Sequence, residues 1–179
     1  MFINSCATGT STINVIGKDT SSPSIDHEAS DHDYNKIQVM NCFASIENYL
    51  NELITHEIIG GYSPERAKQI AKFNSKILHT SWFNFNEKRK MVIEILSREE
   101  MSKTEKDNID KSLRRIMSYR NSLAHGQFST DGKTSKLDYY EGDAKEQILN
   151  DEYWLKVKTH FDYVFDLMLK VLEDKKIIK

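Results

Sequence analysis

Apolar residues recur every three to four positions along most of this chain, and the places where that period breaks mark out its elements. From Ile37 onward, Val39, Met40, Phe43, Ile46, Leu50, Leu53, Ile54 and Ile58 fall on one side of a helix of about five to six turns, which Gly60-Gly61 closes. Ser63-Pro64 supplies an N-cap and a proline at the first helical position, opening a second helix through Ile70, Ala71, Phe73, Ile77 and Leu78. Asn84 or Asn86 caps a third helix carrying Met91, Val92, Ile95 and Leu96. Thr104, with Asp107 three residues later, starts a fourth that runs to Gly126. Beyond Gly126 the period shortens: an Asp131-Gly132 turn separates two extended runs, the second being Lys136-Leu137-Asp138-Tyr139-Tyr140. Asn150 or Asp151 caps a long last helix with the stripe Tyr153, Val157, Phe161, Val164, Leu167, Met168 and Val171. The predicted fold is all-α, an antiparallel helical bundle of about five helices with a small β-hairpin before the last helix.

Residues 1–35 do not share the period. They are rich in Ser, Thr, Asp and Gly, with one β-prone island at Thr12–Ile16, and read as a polar, flexible leader ahead of a bundle domain at 36–179. A chain of 179 residues fits one ordinary domain, and two Pro with seven Gly are too few turn formers for a many-stranded sandwich or barrel. No run approaches the ~18 apolar residues of a membrane span, and the N-terminus lacks a basic n-region with a long apolar h-region. The expectation is a cytoplasmic protein with no membrane partner. Cys6 and Cys42 are isolated thiols, neither a disulfide framework nor a C-x-x-C site.

Charge adds one refinement. Five acidic residues against Lys18 leave 1–35 at −4, so the rest of the chain carries +2 of the net −2. Within it, residues 103–120 hold six Lys or Arg against three acids, enough to hold a few phosphates but not to coat a duplex.

Several candidate motifs lead nowhere. There is no G-x-G-x-x-G after a strand and no G-x-x-x-x-G-K-[ST]. His56-Glu57 opens like a zinc-protease signature, but Gly60 stands where the second histidine belongs. Asp26-His27-Glu28 and Asp31-His32-Asp33 read as a solvated acidic segment, Trp82, Phe83 and Phe85 as closure of a core, and His160 as a hydrogen-bonded core histidine.

The end of the fourth helix is different. Ile109, Leu113, Ile116 and Leu123 form its apolar stripe, and Arg120 stands inside the last step, where a buried guanidinium needs a carboxylate; Glu47, flanked by Phe43, Leu50 and Ile54, is the expected structural partner of Arg120. Arg114, Ser118, Asn121 and His125 form a polar stripe beside it, with Asn121 and His125 one turn apart. Gly126 is expected in the left-handed conformation just past the helix, leaving His125 in the terminal turn, where the dipole favours positive charge. An imidazole beside a permanent cation suits RNA cleavage without metal: one ring takes the 2′-hydroxyl proton or protonates the leaving 5′-oxygen, and the guanidinium steadies the phosphorane. One chain offers one such ring, so acid and base on opposite sides of a phosphate require a homodimer. With six Arg, six His and twelve Asn in the chain, an Arg-Asn pair at an allowed distance from a His is expected about 0.04 times by chance.

Arg120-Asn121-Ser122-Leu123-Ala124-His125 resembles the R-x4-6-H motif, with a polar residue after the Arg, of HEPN domains (higher eukaryotes and prokaryotes nucleotide-binding). The resemblance spans roughly residues 36–175, with the specific signal in these six. It implies an all-α bundle that dimerises and a metal-independent endoribonuclease acting in phage defence, as a toxin or in stress response. Arg120 and His125 would be catalytic and Asn121 would position the phosphate or the histidine. RNA is then the substrate, an antitoxin or regulatory protein a further partner, and neither metal nor cofactor is called for. Toxins regulated by a nucleotidyltransferase carry Tyr two residues after the His, where this chain has Gln127. Arg114, Ser118, Lys133, Lys136 and Tyr139 are the expected substrate-binding residues. Some relatives lack nuclease activity, and the alternative is a non-catalytic module binding RNA, nucleotide or a partner protein.

Overall fold

The computed structural model describes residues 25–99, 101–130 and 134–177, the first eight of them as backbone only. The β-prone island at Thr12–Ile16, the Asp131-Gly132 turn and Lys133 lie outside the described residues. The chain is mostly helical and carries one small three-stranded antiparallel sheet. In chain order the elements are α1 (Ile25–Ile59), α2 (Ala67–Phe73) running directly into a π-helical turn (Asn74–Leu78), α3 (Phe85–Ser97), α4 (Lys103–His125), β1 (Gln127–Thr130), β2 (Ser135–Glu141), β3 (Asp143–Ile148) and α5 (Asp151–Asp174). None of the described helices is long and apolar enough to cross a membrane.

The caps explain where the helices begin and end. Gly60 adopts φ +91° and its N–H donates to His56 O at 2.8 Å, a left-handed stop that a side chain would strain. Asn84 caps α3 by accepting from the Asn86 and Glu87 backbone N–H groups. Asn150, rather than Asp151, caps α5 by accepting from Tyr153 N at 2.9 Å. Three boundaries differ from the sequence reading. Helix α1 begins at Ile25, so residues 25–35 are helical rather than leader; their apolar positions are too sparse to carry a helical period. Helix α2 begins at Ala67, because Pro64 sits in a tight turn whose Arg66 N–H bonds back to Ser63 O. Helix α4 is opened by Ser102, not Thr104: Ser102 Oγ accepts from Glu105 N while Glu105 Oε2 accepts from Ser102 N, a reciprocal capping box.

The hairpin is also corrected. β2 pairs with β1 (Phe128 opposite Leu137) and with a third strand, β3 (Leu137 opposite Gln147), after a turn at Gly142 with φ +80°. β3 is almost wholly exposed and lacks apolar alternation, so only its pairing with β2 makes it a strand.

The chain forms two compact units. One comprises the chain up to Phe43 with Arg115–Asp162; it holds the sheet, and Val39, Cys42, Ile116, Leu123, Leu137, Val157 and Phe161 are buried in it. The other comprises Ala44–Arg114 with Tyr163–Lys179, and Ile46, Leu50, Leu53, Val92, Leu96, Ile109, Leu113 and Met168 are buried there. The second unit also buries two cations on α3. Lys88, 2% exposed, is salt-bridged to Glu47 at 2.6 Å, and Arg89 is held by Asp110 and by Asn86 Oδ1. Isolated burial of either charge would cost several kcal/mol, so each is paired with a carboxylate.

Candidate functional site

The last turns of α4 belong to the sheet-containing unit, and their apolar side chains set the direction of the polar ones. Ile116 and Leu123 are fully buried. That leaves Asn121 and His125 exposed on one face, one turn apart, with Arg120 half-buried beside them. Arg120 Nη1 donates to Asn121 Oδ1 at 3.1 Å, and the guanidinium lies over the Phe43 ring at 5.5 Å from its centre. The arginine is thus held by an aromatic face and an amide while part of it stays open to solvent.

Glu47 is not the partner expected for Arg120. Its carboxylate is taken by Lys88, whose near-complete burial makes the stronger demand for a counter-charge. Arg120 needs less because it is only half-buried. The signal for Arg89 was present in the sequence: Phe85, Arg89, Val92 and Leu96 step by four, three and four, so a cation stands in the apolar stripe of α3.

Gly126 is a second correction. It does not adopt a left-handed conformation. Its N–H donates to Ser122 O at 2.7 Å, and a Cβ built there would lie 2.5 Å from that same oxygen, 2.6 Å from Leu137 Cδ1 and 3.0 Å from Asp138 O. Glycine is required because β2 passes directly against the helix end. The chain therefore leaves His125 straight into β1, and the exposed ring sits where helix and sheet meet.

The remaining expected contacts divide. Ser118 donates to Glu141 Oε1 at 3.0 Å, and Lys145 donates to the other oxygen at 2.8 Å, so Glu141 fastens the β2–β3 turn to α4. The lysine first and the serine second hold that carboxyl below its usual range. Arg114 is exposed and paired with Asp110 at 2.8 Å, about three turns before His125 along α4. Lys136 is half-buried and bound to Glu146 at 3.1 Å across the β2–β3 ladder. Tyr139 is half-buried on β2 opposite Lys145. The structure brings Arg120 and Asn121 together with His125 one turn away, while Arg114, Ser118 and Lys136 have partners within the chain.

Behind the exposed face is an aromatic layer. Tyr119 stands edge-on to Tyr153 at 5.8 Å and its ring is 6.0 Å from that of His160, which is half-buried rather than a core residue. Burial pushes the Tyr119 and Tyr153 phenols above their ordinary range, for Tyr153 against the opposing pull of the Ser122 hydroxyl beside it. Both rings stay neutral at physiological pH. Trp82 is exposed and stacks edge-on with Phe83 at 5.7 Å, whereas Phe85 is buried as expected. Among the described residues no three His, Cys, Asp or Glu side chains gather into a group able to hold a metal ion.

No family model, curated protein or solved structure gives a significant match to this chain.

Proposed function

We propose that this protein is a metal-independent endoribonuclease of HEPN type that acts as a homodimer in the cytoplasm, in phage defence, as a toxin or in stress response. The observation that carries the reading is the hydrogen bond from Arg120 to Asn121 on a turn whose next exposed residue on that face is His125. This gives a fixed cation, an amide and a titratable ring that solvent and substrate can both reach.

In the proposed reaction the His125 ring of one subunit takes the proton of an RNA 2′-hydroxyl as its oxygen attacks phosphorus. The ring of the other subunit gives a proton to the departing 5′-oxygen. The O2′–P bond forms, the P–O5′ bond breaks, and a 2′,3′-cyclic phosphate is left. Arg120 balances the charge that builds on the phosphorane, and Asn121 keeps its guanidinium oriented. An inhibitory antitoxin would have to cover the end of α4.

The test is incubation of the purified protein with RNA in EDTA. Cleavage that persists with chelator and falls at least a hundredfold in both Arg120→Ala and His125→Ala supports the proposal. Chelator-sensitive cleavage, or full activity in His125→Ala, overturns it, and so does a strictly monomeric protein by light scattering. The stacking of Arg120 on Phe43 favours a second reading, a non-catalytic RNA-binding or protein-binding module in which the arginine serves packing. In that case His125→Ala changes nothing and Arg120→Ala lowers stability alone.

A further inference from the structure

Two cations of the sheet-containing unit rest on aromatic rings rather than on carboxylates. One is Arg120, over Phe43 of α1. The other is Lys36 of α1, whose Nζ stands 5.1 Å from the centre of the Phe128 ring on β1. Among the described residues of that unit, Lys136, Lys145, Lys156 and Lys158 are each bonded to a glutamate or aspartate, and the charge of Arg115 acts on Glu141. Neither Lys36 nor Arg120 is paired with an acid among them.

The two ring contacts interlock. α1 lends Phe43 to a cation of α4, and the strand that follows α4 lends Phe128 to a cation of α1, so the two stretches run side by side in opposite directions. Lys36 and Phe43 are seven residues apart, which puts them on one face of α1 at about 10 Å from each other. In chain order His125 falls between Arg120 and Phe128. Phe128 is paired with Leu137, whose side chain abuts Gly126, so Lys36 reaches the same junction that presents His125. A ring attracts a cation without neutralising it, and both charges add to a positive potential there that the anionic groups of a ligand would balance.

We propose that Lys36 is a second phosphate-binding residue of this site, holding a neighbouring phosphate of the RNA strand whose scissile phosphate lies at Arg120 and His125; the identity of the strand rests on the ribonuclease reading. Two cations on successive stretches of one groove suit adjacent phosphates of a single strand, whereas a lone phosphate would engage one of them. Lysine acts on phosphate as a point charge with rotatable donors, so it follows the backbone and reads no base. The selectivity it confers is therefore for a second phosphate beside the one that is cut, whatever base stands there.

The test pairs binding with cleavage on the full chain. A short 2′-O-methyl RNA oligonucleotide, which lacks the attacking hydroxyl, is titrated by fluorescence anisotropy at several salt concentrations. Lys36→Gln should weaken binding and lower the slope of log affinity against log salt by about 0.7, the value of one single-strand phosphate contact, and Lys36→Arg should restore both. In cleavage, UpA is compared with its 5′-phosphorylated and 3′-phosphorylated forms: one of the two should show a kcat/KM at least tenfold above UpA, which identifies the side Lys36 serves, and Lys36→Gln should shrink that advantage at least fivefold. Should Lys36→Gln fail to fold, Lys36→Met, which keeps the stem on Phe128, carries the same comparison. An unchanged salt slope with an unchanged phosphate preference overturns the role of Lys36 and leaves the ribonuclease reading standing. A lowered slope in a protein that cuts no RNA supports the phosphate contact and overturns the ribonuclease reading, and failure to bind the oligonucleotide overturns both.

Discussion

Replacing Gly126 by Ala probes the junction that presents His125. The added Cβ would lie 2.5 Å from Ser122 O and 3.0 Å from Asp138 O, both backbone atoms, and 2.6 Å from Leu137 Cδ1, whose side chain is fully buried. No flexible chain end can move aside, so either the helix terminus or β2 must shift. Overpacking of this kind costs about 1–3 kcal/mol. The shift also strains the 2.7 Å bond from Gly126 N to Ser122 O, worth about 1 kcal/mol more. The sum is about 2–4 kcal/mol, which for a chain of this size lowers Tm by about 4–16 °C. Gly142→Ala is the control. A Cβ there meets nothing within 4 Å, but φ is +80°, so only the left-handed strain of about 1–2 kcal/mol is felt. Thermal unfolding followed by circular dichroism measures both. If Gly126→Ala melts within about 2 °C of the parent, β2 does not press on the end of α4 and the setting of His125 described above is wrong.

Two further predictions concern the buried polar groups. Glu47→Ala strands Lys88, which is 2% exposed, and should cost about 3 kcal/mol, whereas Lys88→Met leaves a partly solvated Glu47 and should cost less than about 1 kcal/mol; equal losses in denaturant unfolding would show that the pair is not buried as described. Burial raises the Tyr153 phenol above its unfolded value, so its contribution to stability is complete below about pH 10 and is lost as the pH rises beyond that, when the unfolded chain ionises first. Tyr153→Phe should therefore flatten the alkaline limb of the stability profile, read by denaturant unfolding between neutral and high pH, and an unchanged limb would contradict the assignment.

Local features alone determined much of this protein. The helical period located α1, α3, α4 and α5, Gly60 and Asn84 marked an end and a beginning, and the Arg120-Asn121 to His125 spacing put three polar groups on neighbouring positions of one helix. Each of these depends on residues within about a turn of one another, where backbone geometry leaves few alternatives. Long-range questions were decided only by the tertiary structure. Glu47 had two cations to choose from, and the depth of Lys88 settled it. Gly126 fits a helix stop or a close approach equally well in sequence, and the passage of β2 decides for the second. β3 has no period of its own and exists because β2 offers an open edge. A cavity brings together Glu52 and His56 of α1, Asn74 of the π-helical turn and Lys176 after α5, which no spacing along the chain relates. Charge pairing, close packing and cavities depend on which surfaces meet, and that is a property of the folded chain rather than of any segment.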